Sequence, residues 1–259
     1  MRLVEGASSV TASDATDPLK LLVSTPRGRC AWAYTTTYGG GLLAGDRIEL
    51  SVDVEAGARL FLGTQASTKI YRSPEGLASS QRLSLRAGAS AVVVGLPDPV
   101  TPFADAVHLQ DQRLDLAADA SLVWLDGVTS GRAARDERWL FTRHRSALRL
   151  TVGGTAKVID AIDLAPGLRS VAERCDGVGA MATLLIGGPA FAGRCAVLSE
   201  LVDGRDLDRL PLAAVCPLAG WGVLVRIAAA ERESLERLVR ELLGDLRPLI
   251  DDDPWERRP

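Results

Sequence analysis

The side chains able to do chemistry are few and scattered. In 259 residues there are only 2 His and 4 Cys. His108 and His144 stand 36 positions apart with no ligand partner at short range, and Cys30, Cys175, Cys195 and Cys216 form no C-x-x-C pair. That pattern excludes a zinc-finger array, a His-rich metal store and a disulfide framework. It suits reduced thiols in a cytosolic protein, with Cys195 and Cys216 as small buried apolar side chains and the two His as partly exposed structural residues. A metal ion handled by such a chain meets oxygen ligands, or is held only briefly.

Three polar runs remain. The first, Gly39-Gly40-Gly41-Leu42-Leu43-Ala44-Gly45-Asp46, is not a phosphate loop, because no Lys-Ser/Thr follows and the next element is a strand rather than a helix. It reads as a flexible turn that delivers Asp46 to a strand start, where an acid beside exposed carbonyls suits a hard or borderline cation. The second runs from Gly63 to Ser73. Ser67 and Lys69 share one face of an extended segment there, which is the placement of a Ser–Lys nucleophile pair. No S-x-x-K arrangement or oxyanion signature accompanies them, so this segment reads as a polar strand lining an interface or channel. The third holds Arg132, Arg135, Arg138, Arg143, Arg145 and Arg149, with Asp136 and Glu137 interleaved. Structural ion pairs or a protein-binding patch fit it better than an RNA grip.

Composition narrows the setting. A net charge of −3 supplies no global basic field for nucleic acid or an anionic membrane. The 47% apolar content excludes a disordered chain, and the 5% aromatic content argues against a base-stacking surface. The N-terminal residues show no secretory signal pattern. The longest uncharged stretches, 177–193 and 210–225, fall short of the ~18 residues of a membrane span. A cytoplasmic protein is expected.

The elements that position these residues are mainly strands. Ile48, Leu50, Val52 and Val54 alternate with polar residues, as in a strand with one buried face. Leu83 and Leu85, then Leu114 and Leu116, repeat the pattern, each followed by a small-residue turn and a second apolar run. Gly57, Gly88 and Asp119 recur every 31 residues, as do Val52, Leu83 and Leu114, and a looser fourth copy runs through Leu148, Leu150, Val152 and Val158. Such a period predicts strand–turn–strand units stacked into a β-helix-like or layered-sheet body; a two-sheet sandwich is the alternative. Toward the C-terminus a strand over 223–229 precedes an amphipathic helix over 231–243, stopped by Gly244, with a short helix after Pro166. We expect one continuous domain over 1–259, with the β-rich body over about 18–229 and a mobile acidic tail over 250–259.

Taken together, these blocks resemble the UreD (UreH) family of urease accessory proteins. The likeness begins at Pro18-Leu19-Lys20-Leu21-Leu22 and runs through Thr36 to Asp46. It is most specific at Thr64-Gln65-Ala66-Ser67-Thr68-Lys69-Ile70-Tyr71-Arg72-Ser73. It continues through Leu96 to Phe103, Leu122-Val123-Trp124-Leu125-Asp126 and Thr129-Ser130-Gly131-Arg132. The resemblance implies a non-catalytic, β-rich scaffold that binds apo-urease and UreF, with UreG joining the assembly, as a dimer of heterodimers with UreF. It further implies transient passage of Ni²⁺ through an acid-lined interior, with no tightly bound cofactor. Asp46 and Glu137 match the family's acids, and Gly45, Thr64, Gln65, Thr68, Lys69, Tyr71, Arg72, Gly131 and Arg132 fall in its structural and interface motifs. One departure stands out: the family pattern has Gly before that Glu, where this chain has Asp136. The alternative is a general β-rich protein-binding module whose arginine face docks a partner and which has no metal role. A hydrolase using Ser67 and Lys69 is a third reading without a supporting base.

Overall fold

The structure is a computed structural model that describes residues 2–4, 7–24, 28–200 and 211–256. Two short strands, β1 (Arg2–Val4) and β2 (Ala7–Ser9), pair antiparallel, and a hairpin of β3 (Leu19–Val23) and β4 (Ala31–Thr37) follows. Three coils come next, each made of a short corner strand and two long ones. They are β5 (Gly41–Leu42), β6 (Arg47–Val54) and β7 (Arg59–Thr64); β8 (Lys69–Ile70), β9 (Ser79–Ala87) and β10 (Val92–Leu96); and β11 (Thr101–Pro102), β12 (Val107–Leu116) and β13 (Ser121–Thr129). Equivalent strands of successive coils stack in parallel, as the repeat implies.

The stack then changes character. β14 (Arg143–Val152) adds a fourth parallel strand beside β12, but Gly153 and Gly154, both at positive φ, turn the chain straight back into antiparallel β15 (Thr155–Leu164). Two left-handed residues are what a tight two-residue hairpin requires. The looser fourth copy therefore ends as a hairpin rather than a coil. After α1 (Val171–Arg174), the strands β16 (Ala180–Gly187), β17 (Leu212–Leu218) and β18 (Gly222–Ala229) extend the other sheet, and α2 (Ala192–Glu200), α3 (Arg232–Leu243) and α4 (Arg247–Ile250) accompany them. The outcome is an eight-stranded sheet, β17-β18-β16-β13-β10-β7-β4-β3, layered on a five-stranded one, β15-β14-β12-β9-β6. The β-helix-like body and the layered sheets are thus the same object.

The coil register differs from an even 31-residue step. Val52 stands beside Leu85, not Leu83, and Leu85 stands beside Leu114, so the steps are 33 and then 29 residues. Because side chains alternate with period two, a two-residue offset leaves every residue on its assigned face. Leu85, Leu114 and Leu150 accordingly form one fully buried ladder between the sheets.

The eight-stranded sheet is covered on both sides, and this explains its continuous apolar runs such as Val92-Val93-Val94. Val93 and Leu122 face the five-stranded sheet, whereas Val94 and Val123 face the helices. α3 buries Leu235, Leu238, Val239, Leu242 and Leu243 against that outer face, and Gly244 ends it at positive φ.

The segment 250–256 is not a free acidic extension. Ile250 is fully buried, and its carbonyl accepts a hydrogen bond from Trp32 Nε1 at 2.9 Å. Asp251 accepts from the backbone N–H groups of Arg29 and Cys30 at 2.6 and 2.8 Å. Hydrogen-bonded acids next to a buried Ile anchor the chain end to β4; residues 257–259 lie outside the described residues. Asp251 also adopts φ 67°, so Asp251→Ala loses both bonds and adds left-handed strain. It should lower stability by about 2–4 kcal/mol, read as a reduced urea midpoint with an unchanged slope.

Candidate functional site

The inward face of β12 is unusual. Its alternation would place apolar residues inside, yet His108, Gln110 and Gln112 point between the sheets while Leu109 faces solvent. Together with Asp126 on β13 and Asp98 in the loop after β10, Gln110 and Gln112 line a cavity between the sheets of about 100 Å³, room for several water molecules. Both carboxylates are buried, Asp98 at 5% exposure and Asp126 at 8%. Thr64, Thr68 and Trp124 complete the polar rim, and Leu19, Ile48 and Leu50 lie toward the sheet edge.

The cavity's polar groups are held in place. Asp126 accepts from Gln110 Nε2 at 3.0 Å and from Ser146 Oγ at 2.6 Å. Gln112 accepts from Trp124 Nε1 at 2.7 Å and donates to Ser146 Oγ at 3.2 Å. Thr64 Oγ1 donates to Asp98 Oδ2 at 3.0 Å and accepts from the Asp98 N–H at 2.8 Å. Burial is the main influence on Asp126 and raises its pKa; bonds from Ser146 and the glutamines oppose this, while Asp160 adds to it. Sequence reasoning missed this pair. The available signal was an acid placed in the otherwise apolar run Leu122-Val123-Trp124-Leu125-Asp126.

Parts of three of the sequence blocks, 64–73, 96–103 and 129–132, meet elsewhere, at a coil corner. Tyr71, Arg72, Phe103, Asp105, Arg132 and Glu137 line a surface cleft of about 450 Å³. Arg132 donates to Glu137 through Nε at 2.8 Å and Nη2 at 2.5 Å, and its guanidinium lies 4.3 Å from the Phe103 ring centroid. Tyr71 meets Phe103 edge-on. The Arg132 hydrogen bond is the largest influence on Glu137 and holds its carboxyl below the usual range. Gly131 adopts φ 113°, and a Cβ there would lie 2.8 Å from Pro102 O, so no larger residue fits. Asp136 sits at φ 57°, a left-handed position that Gly fills without cost and Asp tolerates. Asp136 is therefore compatible with the turn formed here.

The other candidates are dispersed. Gly45, at φ 85°, forms the turn before β6, and Asp46 Oδ2 accepts from Leu43 N at 2.8 Å. Asp46 lines neither the interior cavity nor the corner cleft. Gln65 is exposed, and its N–H donates to Thr35 O. Lys69 is exposed on β8. Ser67 Oγ is bonded to Pro99 O and Thr101 Oγ1, and no hydrogen bond joins it to Lys69. No group of three or more His, Cys, Asp or Glu among the described residues is arranged to hold a metal ion.

The histidines correct the expectation of partial exposure. Their 36-residue spacing is the coil step from β12 to β14, so they are register neighbours. Both face inward, 0% and 2% exposed, with rings stacked at 5.5 Å. His108 Nδ1 is bonded to Ser79 Oγ, while His108 Nε2 and His144 Nδ1 have no hydrogen-bond partner among the described residues. All four thiols are free; Cys195 is buried as expected, but Cys216 is exposed on edge strand β17.

The sequence model of one protein family, described as UreD urease accessory protein, matches residues 1–258. The chain belongs to this family. It is 44% identical over 259 residues to "Urease accessory protein UreD" of Anaeromyxobacter sp. (strain Fw109-5), covering 99% of this chain and 86% of that protein. It is 39% identical to the protein of the same name from Sorangium cellulosum (strain So ce56), covering 98% and 81%. It is also 30% identical to "Urease accessory protein D" of Arabidopsis thaliana, covering 97% and 96%. Membership of this accessory family supports a role in urease maturation. No helix among the described residues is long and apolar enough to cross a membrane.

Proposed function

We propose that this protein acts without catalysis in the cytoplasm, as a scaffold that binds apo-urease and UreF, brings in UreG through the complex, and passes nickel toward the urease active site. The observation that carries the conduit part is the cavity between the sheets, with its two buried carboxylates and room for water. Two buried acids attract a dication strongly when ionised, and an approaching cation favours ionisation of Asp126 against the upward pull of burial. Hydroxyl, amide and carboxylate oxygens let a hydrated ion exchange, whereas a His/Cys cage would retain it. Nickel is cargo in this scheme.

Asp98 and Asp126 supply the interior of the route. We assign Asp46, two residues before the cavity-lining Ile48, to the approach to the cavity; it lies outside the lining, and Oδ2 accepts from the Leu43 N–H. Glu137 is the weaker member, because a cation there must displace the Arg132 guanidinium. We assign the Arg132–Glu137 cleft to the scaffold role.

Omitting the chain from a urease operon expressed at limiting nickel is expected to lower urease activation; equal activation with and without it would sink the maturation role. Asp126→Asn keeps the side chain's shape and removes the buried charge; its amide N–H faces Ser146 Oγ, which can accept there instead of donating. The variant should fold at least as stably and still join the complex, while urease activation falls several-fold. Undiminished activation by a fully assembled Asp126→Asn complex would leave only the scaffold reading.

A further inference from the structure

The solvent face of the five-stranded sheet is built in two unlike halves. On β6 and β9 the cross-strand rows alternate in sign: Glu49–Arg82–Asp111 and Asp53–Arg86–Asp115 are register neighbours. Arg82 donates to Glu49 at 3.1 Å. Between β12 and β14 this compensation weakens, although Asp111 and Asp115 flank Arg113 on its own strand. Arg113 stands directly opposite Arg149, and Arg149 stands opposite Ile159, which is 73% exposed. Arg145 faces Asp163, but Arg143 occupies both Asp163 oxygens. No carboxylate among the described residues lies within ion-pair distance of Arg149, and Arg113 reaches only Asp111, at 3.4 Å. Like charges placed opposite one another across a strand pair are unfavourable. A rigid parallel sheet gives these side chains no means of separating their backbones.

We propose that Arg113, Arg145 and Arg149, with Leu109 and Ile159, form a docking face for a carboxylate-bearing protein segment. Arginine beside exposed aliphatic side chains is the composition of a protein interface, with guanidinium–carboxylate pairs at its centre. One arginine without an acidic partner among the described residues and two engaged ones suit a short acidic segment better than the long array of phosphate contacts that a nucleic acid backbone needs. The partner's carboxylate supplies the counter-charge that Arg149 lacks among the described residues.

The test uses the full chain and fluorescence anisotropy with a labelled peptide of alternating Glu and Leu, beside single-stranded DNA and phosphatidylserine vesicles. The wild-type chain should bind the peptide. Arg149→Glu should weaken binding by about tenfold or more, whereas Arg82→Glu, in the compensated half, should change it by less than about twofold. Thermal unfolding supplies an independent readout: Arg149→Glu turns a like-charge row into an opposite-charge one, so its midpoint should match or exceed that of the wild type. Absence of peptide binding, equal affinity for Arg149→Glu, a lowered midpoint, or tighter binding of DNA or vesicles would each overturn the proposal.

Discussion

Lowering the pH from 7 to 5 should cost this fold about 4 kcal/mol through two histidine side chains, before the opposing contribution of Asp126. Burial pushes the His108 pKa down to about 4 and, with repulsion from His108, that of His144 down to about 3, against 6.5 for an exposed imidazole. Asp163 pulls weakly the other way on His144. A folded-state pKa below the unfolded value means that the unfolded chain binds more protons through the window between them. The stabilising effect of the neutral form is complete above pH 6.5 and is lost as pH falls toward 4 and 3. At pH 5 each histidine costs about 2 kcal/mol, a large share of the 5–15 kcal/mol typical of a domain. The lowered carboxylates of Glu137 and Asp163 titrate below this window, whereas Asp126, its pKa raised by burial, stabilises the fold as it takes up a proton and offsets part of the histidine loss. Urea midpoints measured between pH 7 and 5 should fall steeply for the wild type, and about half as steeply for His144→Phe. An unchanged pH slope in that variant would refute the assignment.

The second large effect is a reciprocity in the eight-stranded sheet. Gly95 and Trp124 are register neighbours on β10 and β13, and a Cβ on Gly95 would lie 2.2 Å from Trp124 Cε3. The indole is 2% exposed and held by its bond to Gln112, so it has little room to swing. Gly95→Ala should cost about 1–3 kcal/mol by overpacking, and Trp124→Ala about 3–5 kcal/mol by opening a cavity. The double variant should be no less stable than Trp124→Ala alone, because the added methyl then occupies space the ring has vacated. Additive losses in a double-mutant cycle would show that the contact does not couple the two sites.

How much of this was visible in the sequence depended on whether a residue's partner lay on its own strand. Ile48 to Val54 and Leu235 to Leu243 declared their faces by period alone, and both elements formed as expected. The coil repeat was legible although its step was uneven, since an even offset does not turn a strand over. The cavity was not legible, because Asp98, Gln112 and Asp126 meet only when coils stack, and β12 carries its polar residues inward where alternation reads them as outward. α2 escaped because it buries only Cys195 and Leu198 and so has almost no apolar stripe. The family motifs located Arg132 and Glu137, but their sequence gave no sign that the acid would be engaged by its neighbour. Asp251 looked like part of a solvated run because its partners, Arg29 and Cys30, lie more than 200 positions away.

The β14–β15 hairpin has one more consequence. A parallel stack of coils resembles a polymer whose repeat unit happens to be covalently joined, and each exposed end could in principle template another coil. By folding β15 back antiparallel, the chain gives one end of the five-stranded sheet a strand of the wrong direction for continuing the stack. The opposite end finishes at β6, whose outward residues Arg47, Glu49 and Asp53 place charges along the edge. The body is therefore a terminated filament with polarity, chemically distinct at its two ends, and end-to-end growth of identical coils is blocked by topology at one end and discouraged by charge at the other.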